Sequence, residues 1–217
     1  MFLTSSSSRS PLSSTILPRM ASALALVGGL LLAGTASAAD PSVHIRGEVV
    51  AVRDHQLDIK GRNGAVTTVQ LPDGYQVMDV SKTSLAAVSE NSYLGIAAAP
   101  AAGGKVRALG VMVFPEGARG LNEGHFPWDI AKRSTMTNAT VAKLVKKGST
   151  SELEMRFGDK TQSVLVDNAT VFGQFVPGQP SLVVTGAKVM VIGQPNEGAP
   201  ATARIVLVGR DGFIPPI

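Results

Sequence analysis

The residue types best suited to chemistry lie together in one short run near the middle of the chain, Gly124-His-Phe-Pro-Trp-Asp129. The run contains the only tryptophan of the sequence and one of its three histidines. Pro127 restricts the residues before it to an extended path, so consecutive rings must point in different directions. We expect a binding loop in which aromatic rings form an apolar wall while a histidine and two carboxylates supply polar contacts. The candidate binding residues are Glu123, His125, Phe126, Trp128 and Asp129.

The same run allows a structural interpretation. In that interpretation Phe126 and Trp128 plug a gap between two packed domains, because large aromatic side chains bury much apolar surface. Polar contacts from Glu123, Asp129 and Arg119 then tie the loop down. The binding loop and the structural plug do not exclude each other.

A metal site is a further alternative for this region. Imidazole and thioether groups suit copper, and a neighbouring carboxylate could join them. The candidate ligands are His125, Glu123, Asp129, Met112 and Met136. However, the three histidines of the chain form no His-x-His or His-x-x-x-His pair. The sequence therefore predicts no cofactor and leaves copper handling as the rival function.

Familiar catalytic patterns are missing from the sequence. The chain has no cysteine, which excludes disulfides, zinc ribbons, iron–sulfur clusters and thiol nucleophiles. It also has no Gly-x-Ser-x-Gly, no His-Glu-x-x-His and no phosphate-binding glycine-rich loop outside the first forty residues. We therefore predict a protein that is not an enzyme, with a cell-envelope hydrolase as the weakest alternative.

The first forty residues have the pattern of a secretory signal peptide. Two arginines precede an apolar stretch over 21–34, and small residues follow, with cleavage expected after Ala38 or Ala39. An uncleaved membrane anchor is the alternative, although about fourteen apolar residues fall short of the roughly twenty that span a bilayer. We predict a signal peptide over 1–38, a periplasmic mature protein and no transmembrane span after cleavage.

Removal of the leader also changes the charge of the protein. The whole chain has 20 basic and 16 acidic residues, and two of the basic ones, Arg9 and Arg19, belong to the leader. The mature protein is therefore close to neutral, despite a sequence pI near 9.6. A nearly neutral exported protein lacks the basic surface that nucleic-acid binding requires, so no nucleic-acid partner is expected.

The mature sequence alternates short apolar runs with turn residues, which predicts an all-β fold. The order of these runs repeats at an offset of about 95 residues, which indicates a duplication. For example, Gln56-Leu-Asp-Ile59 corresponds to Glu152-Leu-Glu-Met155, and Ser84-Leu85 corresponds to Ser181-Leu182.

Each copy has about seventy residues and five predicted strands. A sheet of that size leaves open edges, so closure into a small OB-like barrel is expected. Such a unit buries only about 60% of its unfolded surface, which predicts a large apolar contact between the copies. The predicted segments are a signal peptide (1–38), a first OB-like barrel (43–114), an irregular inter-barrel insert (115–137), a second, tandem OB-like barrel (138–209) and a C-terminal tail (210–217).

Three stretches of the first copy resemble bacterial exported OB-like modules of the DUF5666 type: Arg46-Gly-Glu-Val-Val-Ala-Val52, Leu57-Asp-Ile59 and Ser84-Leu-Ala-Ala-Val88. The second copy has the same layout in Thr140-Val-Ala-Lys-Leu-Val145, Ser181-Leu-Val-Val184 and Gly186-Ala-Lys-Val-Met-Val191. The resemblance covers nearly all of the mature chain. It departs at Ser89-Glu-Asn-Ser92, where such modules more often have a Lys-Pro-Gly-type turn. It implies a non-enzymatic periplasmic module with no catalytic residues to carry over.

Together these patterns predict a periplasmic binding protein that uses the insert as its binding face. The expected partner is an envelope protein or a small ligand. Copper handling and, less favoured, envelope hydrolysis are the competing functions.

Overall fold

The computed structural model of the protein describes residues 42–217. The predicted signal peptide and its cleavage site lie outside these residues. The all-β prediction is confirmed, because the described strands form one continuous sheet of thirteen strands. No helix within 42–217 is long and apolar enough to span a membrane.

The strands are joined mostly by short turns. They are β1 (Val43–Arg53), β2 (Gln56–Lys60), β3 (Val66–Gln70), β4 (Gln76–Thr83), β5 (Tyr93–Pro100), β6 (Val106–Val113), β7 (Gly124–Pro127), β8 (Thr135–Lys147), β9 (Thr150–Phe157), β10 (Lys160–Val166), β11 (Val171–Pro177), β12 (Lys188–Asn196) and β13 (Ala199–Gly209). Single 3₁₀ turns lie at Leu85–Ala87, Ala102–Gly104, Glu116–Ala118, Pro180–Leu182 and Arg210–Gly212.

Five of the strands close a barrel, which we call ring 1. Going around it, β1 pairs with β2, β2 with β3, β3 with β13, β13 with β12, and β12 with β1. The pairing of β3 with β13 is parallel and the other four are antiparallel. Alternate residues of these strands fill the interior. Its most deeply buried side chains are Val49, Leu57, Ile59, Val69, Val191, Ala203 and Val206.

A second set of five strands closes in the same order, and we call it ring 2. Here β8 pairs with β9, β9 with β10, β10 with β6, β6 with β5, and β5 with β8. Again one pairing, that of β10 with β6, is parallel. The interior is filled by side chains that include Leu94, Ile96, Val111, Ala139, Val141, Leu153, Met155 and Val164.

These pairings differ from the predicted sequential barrels. Ring 1 combines β1–β3 of the first copy with β12 and β13 of the second, and ring 2 combines β8–β10 with β5 and β6. Neither 43–114 nor 138–209 therefore closes a barrel from its own strands. The physical reason lies in β4 and β11, which pair with each other antiparallel and carry each chain half across to the opposite ring.

The register of the pairings repeats between the two halves. Gln76 of β4 lies beside Ile205 of β13, and the same parallel pairing recurs 95 residues away between Val171 and Gly110. At the centre, Val80 of β4 faces its own repeat equivalent, Phe175 of β11. An approximate two-fold axis therefore passes between β4 and β11.

A third apolar cluster, the inter-ring core, lies around this axis. Its buried members are Val80, Ala97, Met112, Met136, Phe175, Met190, Leu207 and Ile217. Two segments outside the rings pack against it, namely the insert and the C-terminal tail. A predicted large apolar contact between two barrels is thus present, although each barrel is built from strands of both copies.

Candidate functional site

The predicted insert is not wholly irregular, because it contains the four-residue strand β7. This strand pairs antiparallel with the start of β8, with His125 opposite Thr137 and Phe126 opposite Met136. Successive residues of a strand point to opposite faces. The insert therefore has an inner face that carries Phe126 and an outer face that carries His125.

The inner face packs against the inter-ring core. Phe126, Trp128 and Ile130 all contact that cluster, and the rings of Phe126 and Trp128 meet edge to face with centroids 6.2 Å apart. Trp128 also lies against ring 1, where its centroid is 4.0 Å from that of His44. The Arg46 guanidinium lies 5.7 Å from the indole centroid, within the range of a cation–π contact.

Asp129 fixes the insert to the outer surface of β1. One carboxylate oxygen accepts a hydrogen bond from Arg46 Nη2 at 2.7 Å and lies 3.1 Å from His44 Nδ1. Burial alone would raise the pKa of Asp129, but the hydrogen bonds and positive charges of Arg46 and His44 together outweigh it, so the pKa lies below its usual value. Burial likewise lowers the pKa of His44, against the opposing influence of Asp129.

Arg46 also holds the C-terminal tail. Its Nε donates a hydrogen bond of 2.8 Å to the main-chain oxygen of Ile217, while its Nη2 binds Asp129. One guanidinium therefore joins the insert and the tail to β1. The fork of five N–H donors in arginine is suited to such a double contact.

The outer face of the insert borders an open groove of about 720 Å³. Glu123, Gly124 and His125 form one wall, and the β9–β10 hairpin over 157–162 forms the other. The His125 ring stacks on Phe157, with centroids 6.0 Å apart and planes inclined by 16°. We call this feature the insert groove.

Polar contacts position both acidic and basic groups at the insert groove. His125 Nδ1 lies 2.8 Å from Thr137 Oγ1, and the described residues offer no partner to its Nε2. Glu123 accepts a hydrogen bond of 2.8 Å from the main-chain N–H of Gly158, which leaves its second carboxylate oxygen available. Partial burial lowers the pKa of His125. The ring is therefore neutral at neutral pH, and Nε2 can either donate or accept a hydrogen bond, depending on the tautomer.

The structure thus divides the five predicted binding residues into two groups. Glu123 and His125 face the insert groove, whereas Phe126, Trp128 and Asp129 anchor the insert. The two groups do not form the single pocket with an aromatic wall that the sequence predicted. Arg119, predicted to tie the loop down, bonds to Glu116 at 2.6 Å and to the main-chain oxygen of Asn91 at 2.9 Å.

The proposed copper ligands are not brought together. Met112 and Met136 are buried in the inter-ring core, with 0% and 2% of their surfaces exposed. His125 points to the face of β7 opposite the one that meets Met136. Within 42–217, no group of three histidine, aspartate or glutamate side chains is close enough to hold a metal ion.

Sequence reasoning missed His44, Arg46 and Phe157. The first two are separated by one residue on β1 and so share its outer face, a pattern that was visible in the sequence. The contact of Arg46 with Asp129 spans 83 residues of chain, and no local signal indicates it. Phe157 ends β9 at a hairpin turn, and from sequence alone an aromatic residue there could equally be interpreted as part of the hydrophobic core.

Comparison with known proteins identifies no relative, so the interpretation of the site rests on its geometry. No protein-family model, no curated protein and no solved structure matches this chain.

Proposed function

We propose that the protein is a non-enzymatic binding protein of the periplasm whose binding face is the insert groove. The observation that carries the proposal is the division of the insert into an anchored inner face and an open outer face. Phe126 and Trp128 fix the backbone, so Glu123 and His125 are held in place before a partner arrives. Preorganisation of this kind reduces the entropic cost of binding.

The groups at the insert groove suit a polar partner with some apolar surface. The stacked rings of His125 and Phe157 offer a flat apolar surface, and Glu123 and His125 Nε2 offer hydrogen bonds. Asp159 and Lys160 on the opposite wall add one negative and one positive charge. An exposed loop of an envelope protein has this mixture of properties, and the volume of the groove also lies in the range for small ligands.

Binding rather than catalysis is supported by the surroundings of His125. A histidine becomes a useful general base when it activates an accessible nucleophile. The hydroxyl that bonds to His125 belongs to Thr137, whose surface is fully buried. A substrate in the groove could not reach that oxygen.

We further propose that both rings are OB-like barrels and that the protein is exported. In each ring the first three strands are consecutive, and the fifth lies between the third and fourth with a parallel contact to the third. A 3₁₀ turn precedes the fourth strand, as expected for OB-like order. Export is supported by the sequence pattern of the leader and by the resemblance to DUF5666-type modules.

Site-specific photocrosslinking in the envelope tests the binding face. The full chain, leader included, would carry a photoreactive residue in place of Thr161, at the insert groove, or in place of Gln194, an exposed position on β12. We expect a discrete crosslinked envelope protein from position 161 and none from 194. His125→Ala should abolish that adduct, while His55→Ala, on an exposed turn, should leave it intact.

Two results would contradict the proposal. One is an adduct of equal yield at both positions, which would indicate collision with abundant proteins. The other is an adduct that persists in a folded His125→Ala, Phe157→Ala double variant.

A further inference from the structure

A second cavity, of about 670 Å³, lies at one end of ring 2 and is separate from the insert groove. Three segments surround it: the end of β4 with the following turn (82–85), the β8–β9 hairpin (146–151) and the β10–β11 connection (166–172). Phe213 of the tail completes the wall. We call this cavity the ring-2 pocket.

The ring-2 pocket carries a net positive charge. Lys82 and Lys146 line it, and neither forms an ion pair with any residue of 42–217. Its one carboxylate, Asp167, is already neutralised by an ion pair with Arg107 and accepts a hydrogen bond of 3.0 Å from the main-chain N–H of Ala169. An anion is therefore the charged ligand that the pocket would take.

The pocket also offers neutral hydrogen-bonding groups. The side chains of Thr83, Ser149, Ser151 and Asn168 line it and form no hydrogen bond within the described part of the chain. By contrast, Ser84 already accepts from the N–H of Ala86, and Thr170 Oγ1 accepts from Asp167 N at 3.1 Å. Ser151 is buried, which leaves Thr83, Ser149 and Asn168 as the more accessible groups for a ligand rich in hydroxyl groups.

Apolar side chains form the rest of the surface. Leu85, Val171 and Phe213 lie beside the polar groups, and 41% of the surface of Val171 is exposed. A small molecule with hydroxyl edges and a C–H face would contact both kinds of surface. Sugars have this character, and aromatic rings such as that of Phe213 pack against their C–H faces.

The equivalent end of ring 1 is built differently. Thr170 is replaced there by Tyr75, whose side chain packs against the ring 1 interior. The first hairpin is also shorter: Val52 pairs with Leu57 across four residues, whereas Leu144 pairs with Leu153 across eight. The longer hairpin is the one that contributes Lys146 and Ser149 to the pocket. The two copies therefore diverge at the positions that create this cavity.

We propose that the ring-2 pocket binds an acidic sugar, with the anionic group between Lys82 and Lys146 and the hydroxyls on Thr83, Ser149 and Asn168. The acid is a carboxylate, as in a uronic acid, or a phosphate, as in a sugar phosphate. Both present the same combination of one anionic group, several hydroxyls and a C–H face. This site is independent of the partner proposed for the insert groove.

Titration of the ¹⁵N-labelled mature protein with glucuronate, glucose 6-phosphate, neutral glucose and inorganic phosphate tests the proposal. We expect either acidic sugar to shift the amide signals of Ser149 and Ala169, and the tighter of the two identifies the acid. Glucose and inorganic phosphate should each bind at least about tenfold more weakly than the acidic sugar, because each lacks half of the contacts. Signals of Gly124 and His125 in the insert groove should not move.

Matched variants locate the site. Lys82→Gln with Lys146→Gln should weaken binding by about tenfold or more, because two charge-assisted contacts are lost. Lys132→Gln with Lys143→Gln, which removes the same charge from exposed positions away from the pocket, should leave binding unchanged. Thr170→Tyr, which copies the ring 1 residue, should abolish binding in a protein whose other amide signals stay in place.

Three results would overturn the proposal. The first is the absence of shifts from both acidic sugars at millimolar concentration. The second is equal affinity for inorganic phosphate and the sugar acids, which would mean that the pocket does not recognise the sugar. The third is unchanged binding in the double lysine variant, which would place the ligand elsewhere.

Discussion

The two sides of the inter-ring core come from equivalent strands but are filled in opposite ways. On the ring 1 side the core includes the large side chains of Met78, Met190 and Ile205. The residues at the equivalent positions on the ring 2 side are Gly173, Gly95 and Gly110. The missing volume is supplied by Phe114, which directly follows β6, and by Phe213 and the end of the tail.

These glycines are required by close packing rather than by backbone conformation. A Cβ on Gly110 would overlap the main-chain oxygen of Pro216, and a Cβ on Gly173 would lie 3.3 Å from the Phe213 ring. The comparison shows that the two sides of the inter-ring core share a backbone arrangement but are packed differently. The ring 1 side is filled by side chains of its own strands, whereas the ring 2 side depends on the tail.

Substitution of Gly110 should have the largest effect on stability. Gly110→Val forces the tail away from β6, because the main chain at Pro216 cannot yield as a side chain would, and we expect a loss of about 3 kcal/mol or more. At the equivalent position in ring 1, Ile205→Ala leaves a cavity and should cost about 2 kcal/mol. Urea unfolding measures both.

The control for Gly110 is Gly117→Ala. No atom lies within 4 Å of a Cβ at Gly117, so the change should stay within about 0.5 kcal/mol of wild type. If Gly110→Val were as stable as this control, the tail would contribute little and the contrast between the two sides would fail.

Trp128 should follow in size, because it is the main anchor of the insert. Trp128→Ala removes the contacts with Phe126, His44 and Arg46 and should cost about 3 kcal/mol, the lower end of the range for buried aromatic residues, since the indole is partly exposed. The indole N–H is buried without an acceptor among the described residues. Trp128→Phe should therefore retain most of the stability, because no hydrogen bond is lost.

Unfolding in urea distinguishes these outcomes for Trp128. A loss of under about 0.5 kcal/mol in Trp128→Ala would class it as an ordinary surface residue and would remove the anchored inner face on which the insert groove depends.

Arg46 should have a smaller effect, although it joins both non-repeated segments to β1. Arg46→Met removes the hydrogen bonds to Asp129 and Ile217, and we expect a loss of about 1 kcal/mol, because Asp129 is half exposed to water. A double-mutant cycle with Asp129→Asn separates the two contacts. A coupling energy of zero would show that Asp129 does not hold the insert.

The strands were predictable because their signals are local. Alternation and turn residues located the strands of both copies and the need for closure. The exchange of β5 and β6 for β12 and β13 was not predictable, since either pair presents the same apolar pattern to the first three strands of a ring. Which pair is used depends on the path of β4 beside β11, and that contact is long-range.

The candidate site was predictable only in its location. Pro127 correctly indicated that His125 and Phe126 point in different directions. The face that turns inward is decided by His44 and Arg46, which lie far away in the chain and attract Trp128 and Asp129. The ring-2 pocket depends on the longer β8–β9 hairpin and on Thr170. That Thr170 leaves space for a cavity is visible only when ring 2 is compared with ring 1, where Tyr75 stands in its place.

The smallest expected effect concerns pH and again separates the two copies, because His44 of β1 corresponds to Met136 of β8. Burial holds the pKa of His44 below its ordinary value of 6.5. Below that pH the unfolded chain binds a proton that the folded protein excludes, so the free energy of unfolding falls as the pH decreases. His44→Met, which makes the two copies alike, should reduce this dependence between pH 7.5 and 5.5. Between pH 7.5 and 8.5 the histidine is neutral in both states, so urea unfolding should show a constant difference in stability between wild type and variant. If the free energy of unfolding fell equally steeply with pH in the two proteins below pH 6.5, His44 would not be held neutral by burial.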